Sequence, residues 1–377
     1  MKKIVLIVLL IFVCFTIYVN GATSDLPEVL TPDSIFVKGN NLYIIEGDLC
    51  RIYSIPQMKY LKSFCKSGEG PGEVKTMPGL SAGISETHDE KILIEGMNKI
   101  LFYTVNGDFI GEKKKGGRFF RTNKAGENYV TLGMTINRKS GRSFLTLSIF
   151  SGEFKLIREL YKQEMKDNDK DIEMVIKTIR YSIWNDKIFL IDNIGDNPVI
   201  VFDSDGKELY RFKVDIKAKK VDDEFRAEEL KRLKDDDFIS MMIKREGGWD
   251  NFRKKMNFIF PGTLPAIQGI TVAHNRVHLL TYNRKDKKER FIITDLKGNV
   301  IKKIFLPVHL KSSFLAKMLG RENKFYAFSA ENYYYLSEDE ETETFRIRTI
   351  NLKNIGQTNF QIRNTKIINK IDKIIAY

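Results

Sequence analysis

One short pattern recurs six times along this chain of 377 residues. Each copy reads as a turn, an apolar strand, a second turn, a second apolar strand, a polar turn and a third strand. The clearest copies carry Asn-Gly, Asp-Gly or Lys-Gly-Asn before the third strand, and these residues tolerate the positive φ angles of tight hairpin turns. The copies occupy residues 40–64, 90–112, 127–160, 186–214, 275–306 and 323–352.

The spacing of these copies predicts the fold class. The equivalent anchor residues are Leu42, Ile92, Tyr129, Ile188, Val277 and Phe325. When an insertion after the fourth copy is set aside, the period approaches the roughly 40–50 residues of a four-stranded propeller blade. A β-sandwich also has short strands, but it gives no reason for sixfold recurrence, whereas a radial array buries each sheet between its neighbours. The sequence therefore predicts an all-β six-bladed β-propeller over residues 22–352.

Residues 221–260 interrupt the strand rhythm and predict a helical insertion between the fourth and fifth blades. Asp222 and Asp223 suit the start of a helix, and Gly247-Gly248 is a helix end signal. The insertion also carries four large apolar residues: Met241, Met242, Trp249 and Phe252. Two interpretations stay open, a flap that covers the channel or binds a partner, and a flap whose apolar side packs on its own blades.

The first 21 residues have the form of a secretory signal peptide. Lys2 and Lys3 precede an apolar stretch, residues 4–19, which is short for a membrane span. The small residues that follow predict cleavage between Gly21 and Ala22. We therefore expect an exported chain, periplasmic or extracellular, with no stable membrane span after processing. The alternative is retention by an uncleaved N-terminal anchor.

The chain is basic, with a formal net charge of +13 at pH 7. Its lysines are dispersed and interleaved with acidic residues, which is typical of solvated turns. We therefore expect no nucleic-acid partner, and we expect a monomer. Residues 353–377 place isoleucines at helical intervals with lysines between them, and we expect this tail to pack on the propeller or to close it. A membrane-surface segment is the alternative.

Cys50 and Cys65 are the two cysteines outside the predicted signal peptide. If residues 51–55 and 60–64 are antiparallel strands joined by a four-residue turn, Cys50 faces Cys65. A directly facing, non-hydrogen-bonded pair brings its Cα atoms to about 4.5 Å, near the short end of the disulfide range. Because exported proteins meet oxidising conditions, the sequence predicts a cross-strand disulfide. The alternative is two free thiols, expected in a reducing compartment or if the register shifts by one residue.

Two segments carry a family resemblance. SGEGPGE at 67–73 resembles the Gly-x-Gly-Pro-Gly-Glu stretch of bacterial exported six-bladed β-propeller proteins, which are relatives of the NHL-repeat propellers. Residues 260–282 are similar to the Pro-Ala-Ile segment that begins one of their blades. The motif residues here are Gly68, Gly70, Pro71, Gly72 and Glu73. The resemblance implies fold and export and does not imply an activity.

The same motif has a physical reading of its own. A Gly-Pro-Gly run suits a tight connection between blades, in which Glu73 is free to accept hydrogen bonds from nearby backbone N–H groups. A phosphate-binding loop is the rival interpretation, but the helix and the Lys-Ser/Thr pair that such a loop needs do not follow.

The sequence contains few candidates for catalysis. It has four histidines, His88, His274, His278 and His309. We expect His88 and His274 in turns, His278 on a strand and His309 in a loop. Neither a Gly-x-Ser-x-Gly nucleophile motif nor a zinc-binding helix occurs. No catalytic residue is assigned, and no cofactor is predicted, with calcium or zinc as the alternative.

Two functions remain open from the sequence. The first is a binding or scaffold module for a protein, peptide or glycan partner. The second is a metal-dependent propeller hydrolase or lyase, whose central-channel site would need histidine or carboxylate ligands from several blades. The missing catalytic motifs favour the first, so we expect a protein that is not an enzyme.

Overall fold

The computed structural model describes residues 22–353, except 77–79, 88, 118, 166–169, 176–177, 192–197, 309, 312–313, 315, 317–322 and 340. The predicted signal peptide and the tail after Lys353 lie outside the described residues. The chain forms two compact units. Residues Thr31–Phe325 form the larger one, and the described residues up to Leu30 and from Tyr326 onward form the smaller one.

The larger unit contains five four-stranded antiparallel sheets, each with its strands in chain order. Strand β1 (Thr23–Asp25) precedes them in the chain and belongs to the smaller unit. Blade 1 comprises β2 (Ser34–Lys38), β3 (Asn41–Glu46), β4 (Leu49–Ser54) and β5 (Lys59–Phe64), and is followed by the parallel pair β6 (Lys66–Ser67) and β7 (Glu73–Val74). Blade 2 comprises β8 (Gly83–Glu86), β9 (Ile92–Glu95), β10 (Lys99–Tyr103) and β11 (Phe109–Lys114).

The other three sheets of this unit follow the same order. Blade 3 comprises β12 (Phe119–Ala125), β13 (Asn128–Ile136), β14 (Ser143–Phe150) and β15 (Leu156–Glu164). After β16 (Asp171–Glu173), blade 4 comprises β17 (Arg180–Trp184), β18 (Lys187–Ile191), β19 (Val199–Phe202) and β20 (Glu208–Phe212). After β21 (Asn257–Ile259), which pairs with β16 in parallel, blade 5 comprises β22 (Gly269–Ala273), β23 (Arg276–Lys285), β24 (Lys288–Asp295) and β25 (Val300–Pro307).

The smaller unit contains the sixth sheet, which both ends of the chain build. After β26 (Leu310–Lys311) and β27 (Asn323–Lys324), blade 6 comprises β28 (Tyr326–Phe328), β29 (Asn332–Asp339), β30 (Thr344–Asn351) and finally β1. Ser24 of β1 pairs with Ile347 of β30 in antiparallel register. The N-terminal strand therefore takes the outer position that the fourth strand has in the other blades.

The core of the larger unit lies between neighbouring sheets, because the apolar faces of successive blades pack on each other. Tyr43 and Ile45 of blade 1 share a buried cluster with Ile94 and Leu101 of blade 2. Equivalent clusters join blades 2 and 3, blades 3 and 4, and blades 4 and 5. The first strands of successive blades also adjoin one another. They therefore form the inner edge of the five-blade array.

A hydrogen bond from each of blades 1 to 4 to the last turn of the following blade supports this packing. In each bond a side chain donates to a backbone carbonyl. The pairs are Tyr43 with Val105 (2.6 Å), Lys113 with Gly152, Arg158 with Gly206 (2.8 Å) and Tyr210 with Leu296 (3.0 Å). Each acceptor lies in the turn before a fourth strand, which is where the sequence pattern places its polar turn. The recurring turn therefore closes a hairpin and also contacts the preceding blade.

The insertion contains three helices, α1 (Asp223–Lys234), α2 (Asp237–Arg245) and α3 (Trp249–Lys255). Asp222 begins α1 by accepting a hydrogen bond from the Phe225 backbone N–H at 2.9 Å. The Phe225 ring contacts the Tyr282 ring of blade 5 edge to face, at 6.3 Å between centroids. Phe252 is fully buried with Leu233 and other insertion residues. The insertion thus packs its apolar side on itself and on its own blades.

Two details of strand assignment differ from the sequence analysis. The β4–β5 ladder pairs Cys50 with Phe64. Next to the turn Ser54 pairs with Lys59, two residues away from the predicted register, and a bulge between Ile52 and Tyr53 reduces this offset to one residue. The predicted facing of Cys50 and Cys65 is therefore wrong by one residue. In the sixth copy, the anchor assigned to Phe325 falls just before the first strand of blade 6. The other anchors lie on the second strand of their blades, which in blade 6 is β29. The sixth copy contains strands one to three of its blade, because β1 supplies the fourth strand from the other end of the chain.

Six four-stranded antiparallel sheets, with one helical stretch between the fourth and fifth, confirm the predicted fold class, a six-bladed β-propeller. None of the helices in the described part of the chain is long and apolar enough to cross a membrane.

Candidate functional site

A group of polar and aromatic side chains gathers where the first strands of four blades end. Lys38 ends β2, Glu86 ends β8 and Trp184 ends β17. His274 and Asn275 form the two-residue turn between β22 and β23. We call these five residues the inner-turn cluster. Because first strands line the inner edge of the array, the cluster lies at one end of that edge.

The first half of the inner-turn cluster is an ion pair between blades 1 and 2. Lys38 Nζ lies 2.7 Å from Glu86 Oε2, and the two side chains are 26% and 31% exposed. An ion pair this accessible contributes little to stability, because water screens it. Both groups can therefore exchange their mutual contact for a contact with a ligand at small energetic cost.

The second half joins blades 4 and 5. Trp184 Nε1 donates a hydrogen bond to Asn275 Oδ1 at 3.0 Å. The Trp184 and His274 rings lie 5.7 Å apart between centroids and are tilted by 51°. His274 and Asn275 have φ angles of 50° and 58°, the combination required by a type I′ hairpin turn. This tight turn holds the imidazole against the indole.

Electrostatics connects the two halves. Partial burial lowers the pKa of His274 below its usual 6.5, Glu86 acts in the opposite direction, and Lys38 and Arg276 lower it further. Lys38 and Glu86 are therefore within electrostatic range of the imidazole. With its pKa lowered, His274 is neutral at pH 7, so one of its ring nitrogens can accept a hydrogen bond.

Blade 3 borders the same end of the array. The Gly126 backbone N–H donates to Asp186 Oδ1 at 2.7 Å, which ties its first turn to that of blade 4. Asn128 Nδ2 donates to the Ser204 carbonyl and to Asp205 Oδ1, at 3.1 and 2.9 Å. These contacts fix the turns of blades 3 and 4 together beside the cluster.

The chemistry available in the inner-turn cluster is that of recognition. Trp184 and His274 offer aromatic surfaces, and Asn275, Lys38 and Glu86 offer donors and acceptors around them. Such a mixture of apolar faces and convergent polar groups is characteristic of binding sites. Among the described residues, no group of three His, Cys, Asp or Glu side chains is placed to hold a metal ion.

The histidines predicted from the sequence have different positions. His274 lies in a turn and His278 on β23, as expected. His278 is 3% exposed, and burial, with Arg276, His274 and Lys324 nearby, lowers its pKa to about 3. It is thus a neutral core residue. His88 and His309 lie outside the described residues.

The Gly-x-Gly-Pro-Gly-Glu motif forms the connection between blades 1 and 2. The Glu73 side chain folds back and accepts a hydrogen bond from the Gly70 N–H at 3.0 Å, and it pairs with Lys66 at 3.2 Å. These two contacts lower the pKa of Glu73. A side chain at Gly68 would collide with that carboxylate, since an added Cβ would lie 2.0 Å from Glu73 Oε2. The motif residues therefore have a structural role in this loop.

The two cysteines are unbonded in the structure, and both are buried. Cys50 lies on β4, and Cys65 follows β5 with a φ angle of 54°. The predicted direct facing is corrected by the observed register. The disulfide itself stays a prediction.

Four of the five cluster residues were missed in the sequence, because Lys38, Glu86, Trp184 and Asn275 match no motif. One signal was available. Each of them lies at the turn that precedes the second strand of a copy, so aligned copies bring these positions to the same end of their blades.

Comparisons with known proteins add similar folds and no family. No family model matches the chain, and no curated protein matches it. Similar solved structures include BamB from Moraxella catarrhalis, with 11% identity, 84% of this chain and 71% of that chain covered, and a TM-score of 0.30. The Cps50 (Swd1) β-propeller domain from Myceliophteria thermophila has 8% identity, coverage of 88% and 99%, and a TM-score of 0.42. The Pan2 WD40 domain from Neurospora crassa has 10% identity, with 88% of this chain and 94% of that chain covered, and a TM-score of 0.36. At such low scores, the fold assignment rests on the six sheets themselves.

Proposed function

We propose that this chain is an exported binding or scaffold module that contacts a protein, peptide or glycan through its inner-turn cluster. The supporting observation is the convergence of Trp184 and His274 with the Lys38–Glu86 ion pair, from four separate blades. Residues so far apart in sequence form this surface only when the blades are assembled. A ligand that stacks on the indole also lies beside the Asn275 amide, whose Oδ1 accepts a hydrogen bond from Trp184 Nε1 at 3.0 Å.

A binding experiment tests this role. The full chain, labelled with a fluorophore, is applied to a peptide array and to a glycan array, beside the variants Trp184→Ala and Met241→Ala. Met241 is 63% exposed on α2 and is a control for the loss of a surface side chain. We expect wild type and Met241→Ala to bind the same probes, and Trp184→Ala to bind them about tenfold more weakly or worse.

Two outcomes contradict the binding role. One is the absence of any reproducible binding by wild type on either array. The other is equal binding by wild type and Trp184→Ala, which would place the contact elsewhere. Circular dichroism of Trp184→Ala checks that a loss of binding is not a loss of fold.

Export is the second part of the proposal. It is supported by the positive and apolar segments of residues 1–21 and by the resemblance of residues 67–73 to exported propeller proteins. Sequencing the N-terminus of protein recovered from the periplasm or medium tests it. We expect Ala22 as the first residue. A mature chain that still begins with Met1, Lys2 and Lys3 would contradict cleavage.

A further inference from the structure

Cys50 and Cys65 belong to one buried cluster between blades 1 and 2. Cys50 is fully buried and Cys65 is 6% exposed, and Phe64, Tyr103 and Val74 belong to the same cluster. Two thiols enclosed among apolar side chains have few alternative partners. The local backbone places both side chains on the same side of the sheet, in the space between blades 1 and 2.

The backbone at Cys65 breaks the alternation of side chains that a β-strand normally shows. Successive side chains of a strand point to opposite faces, so Phe64 and Cys65 would be separated in a regular β5. Cys65 instead has a left-handed φ of 54°, and both residues lie in the same cluster. Cys50, which pairs with Phe64 in the ladder, is on that face too. The one-residue difference in register is thus compensated by the backbone turn at Cys65.

Tyr103 lies beside both thiols. Its hydroxyl group donates to the Gly72 carbonyl at 2.7 Å, and Tyr103 belongs to the same buried cluster as both cysteines. Cys50 and Cys65 both interact electrostatically with Tyr103, and Cys65 with Cys50. The two sulfurs therefore share one small environment next to the connection between the blades.

We propose that Cys50 and Cys65 are joined by a disulfide bond in the oxidised protein, which closes the β4–β5 hairpin next to the inter-blade connection. Two S–H bonds break and one S–S bond forms. The two electrons and two protons pass to a disulfide oxidant such as glutathione disulfide, which becomes two glutathione thiols. This bond is independent of the proposed binding role.

Burial decides when the bond can form. In the folded protein, burial raises the pKa of Cys65 to about 11 and raises that of Cys50 as well. Thiolate is the reactive species in exchange, so the buried thiols react slowly at neutral pH. Oxidation therefore takes place while the hairpin is still open during folding.

The test uses the full chain with the background substitution Cys14→Ser, so that no third thiol competes. The protein is unfolded in urea, refolded in a mixture of reduced and oxidised glutathione, and treated with an alkylating reagent. Peptide mapping without reduction is expected to show a linked pair containing Cys50 and Cys65 as the main cysteine product. Cys65→Ser is the matched control and must lose that pair.

Two results would overturn the proposal. The first is separate alkylation of Cys50 and Cys65 after refolding in the oxidising mixture. The second concerns fit to the folded state. Oxidised protein is expected to unfold about 5 °C higher than reduced protein, since the bond closes a loop of about 15 residues. An equal or lower unfolding temperature would mean that the bond does not fit the folded hairpin.

Discussion

Lys115 and Glu95 form an ion pair with side chains only 1% and 3% exposed, Lys115 Nζ lying 3.0 Å from Glu95 Oε1. Glu95 ends the second strand of blade 2, and its carboxylate also accepts from the Thr122 N–H and hydroxyl of blade 3, at 2.8 and 2.7 Å. Lys115 donates in addition to the Phe119 carbonyl at 2.9 Å. A buried charge left without its partner keeps its full desolvation penalty, so each partner depends strongly on the other.

We expect Lys115→Met or Glu95→Gln alone to lower the free energy of unfolding by about 3–5 kcal/mol, as measured by urea denaturation. The double variant Glu95→Gln/Lys115→Met should recover part of this loss, because it leaves no unpaired charge. Lys62→Met breaks an exposed pair with Asp108 and should have little effect. Additive losses in the double variant would show that the two groups do not act as a pair.

His278 gives the fold a defined response to acid. Its pKa is about 3 in the folded chain and near 6.5 when unfolded, so between these values the unfolded chain binds more protons. The free energy of unfolding must then fall as pH decreases from 6.5 towards 3, by up to about 1.4 kcal/mol per pH unit from this residue. Above pH 7 the contribution is constant.

Replacing His278 with Gln removes this titration. We expect the variant to show a flatter dependence of unfolding free energy on pH between 6.5 and 4 than wild type does, even if it is less stable at pH 7. Urea titrations at several pH values measure both slopes. Identical slopes would mean that the imidazole is protonated in the folded state as readily as in the unfolded one.

At the scale of the element, the glycine before the fourth strand meets two demands at once. Gly298 has a φ of 92°, and a Cβ added there would lie 2.3 Å from a ring carbon of Phe212 in blade 4. Gly39 also has a positive φ, 57°, but nothing lies within 4 Å of its added Cβ. The two positions therefore separate backbone strain from contact with the preceding blade.

Gly39→Ala should lower the free energy of unfolding by about 1 kcal/mol, from the left-handed backbone alone. Gly298→Ala carries at least this strain, because its φ of 92° lies further from the left-handed region of L residues. It also displaces Phe212, and overpacking of this kind costs about 1–3 kcal/mol more. Thermal or urea unfolding of both variants measures the difference. Equal losses would show that the Phe212 ring moves aside freely. Gly298 would then be needed only for the φ angle of the hairpin turn and not for contact with the preceding blade.

The elements also show where sequence reasoning succeeds and where it ends. Hairpin turns and helix ends depend on neighbours a few residues away, so the recurring turns and the Asp222 helix start were predictable. The bulge after Ile52 was not predictable, because the alternation of apolar and polar residues in β5 is regular and shows no sign of it. The inner-turn cluster depends on contacts such as Trp184 with Asn275, 91 positions apart, which no local pattern specifies.

At the scale of the molecule, the two ends of the chain meet in one sheet. Strand β1 pairs with β30, the Thr349 N–H donates to the Ala22 carbonyl at 2.9 Å, and the Leu26 N–H donates to Phe345 at 2.8 Å. Leu26 itself is fully buried. Cleavage at the predicted site before Ala22 leaves this strand whole, so processing and blade 6 are compatible. Contacts between residues more than 300 positions apart carry a large loop-closure entropy, which the hydrogen bonds and buried Leu26 of this sheet must offset.

Deletion of residues 22–25 tests how much blade 6 depends on its N-terminal strand. The deletion removes the backbone partner of β30, and we expect the free energy of unfolding to fall by about 2–4 kcal/mol for the lost hydrogen bonds and exposed strand edge. The double variant Thr23→Ala/Ser24→Ala keeps the strand backbone and is the matched control, with stability close to that of wild type. If the deletion unfolds at the same urea concentration as this control, β1 is dispensable and three strands suffice for the last blade.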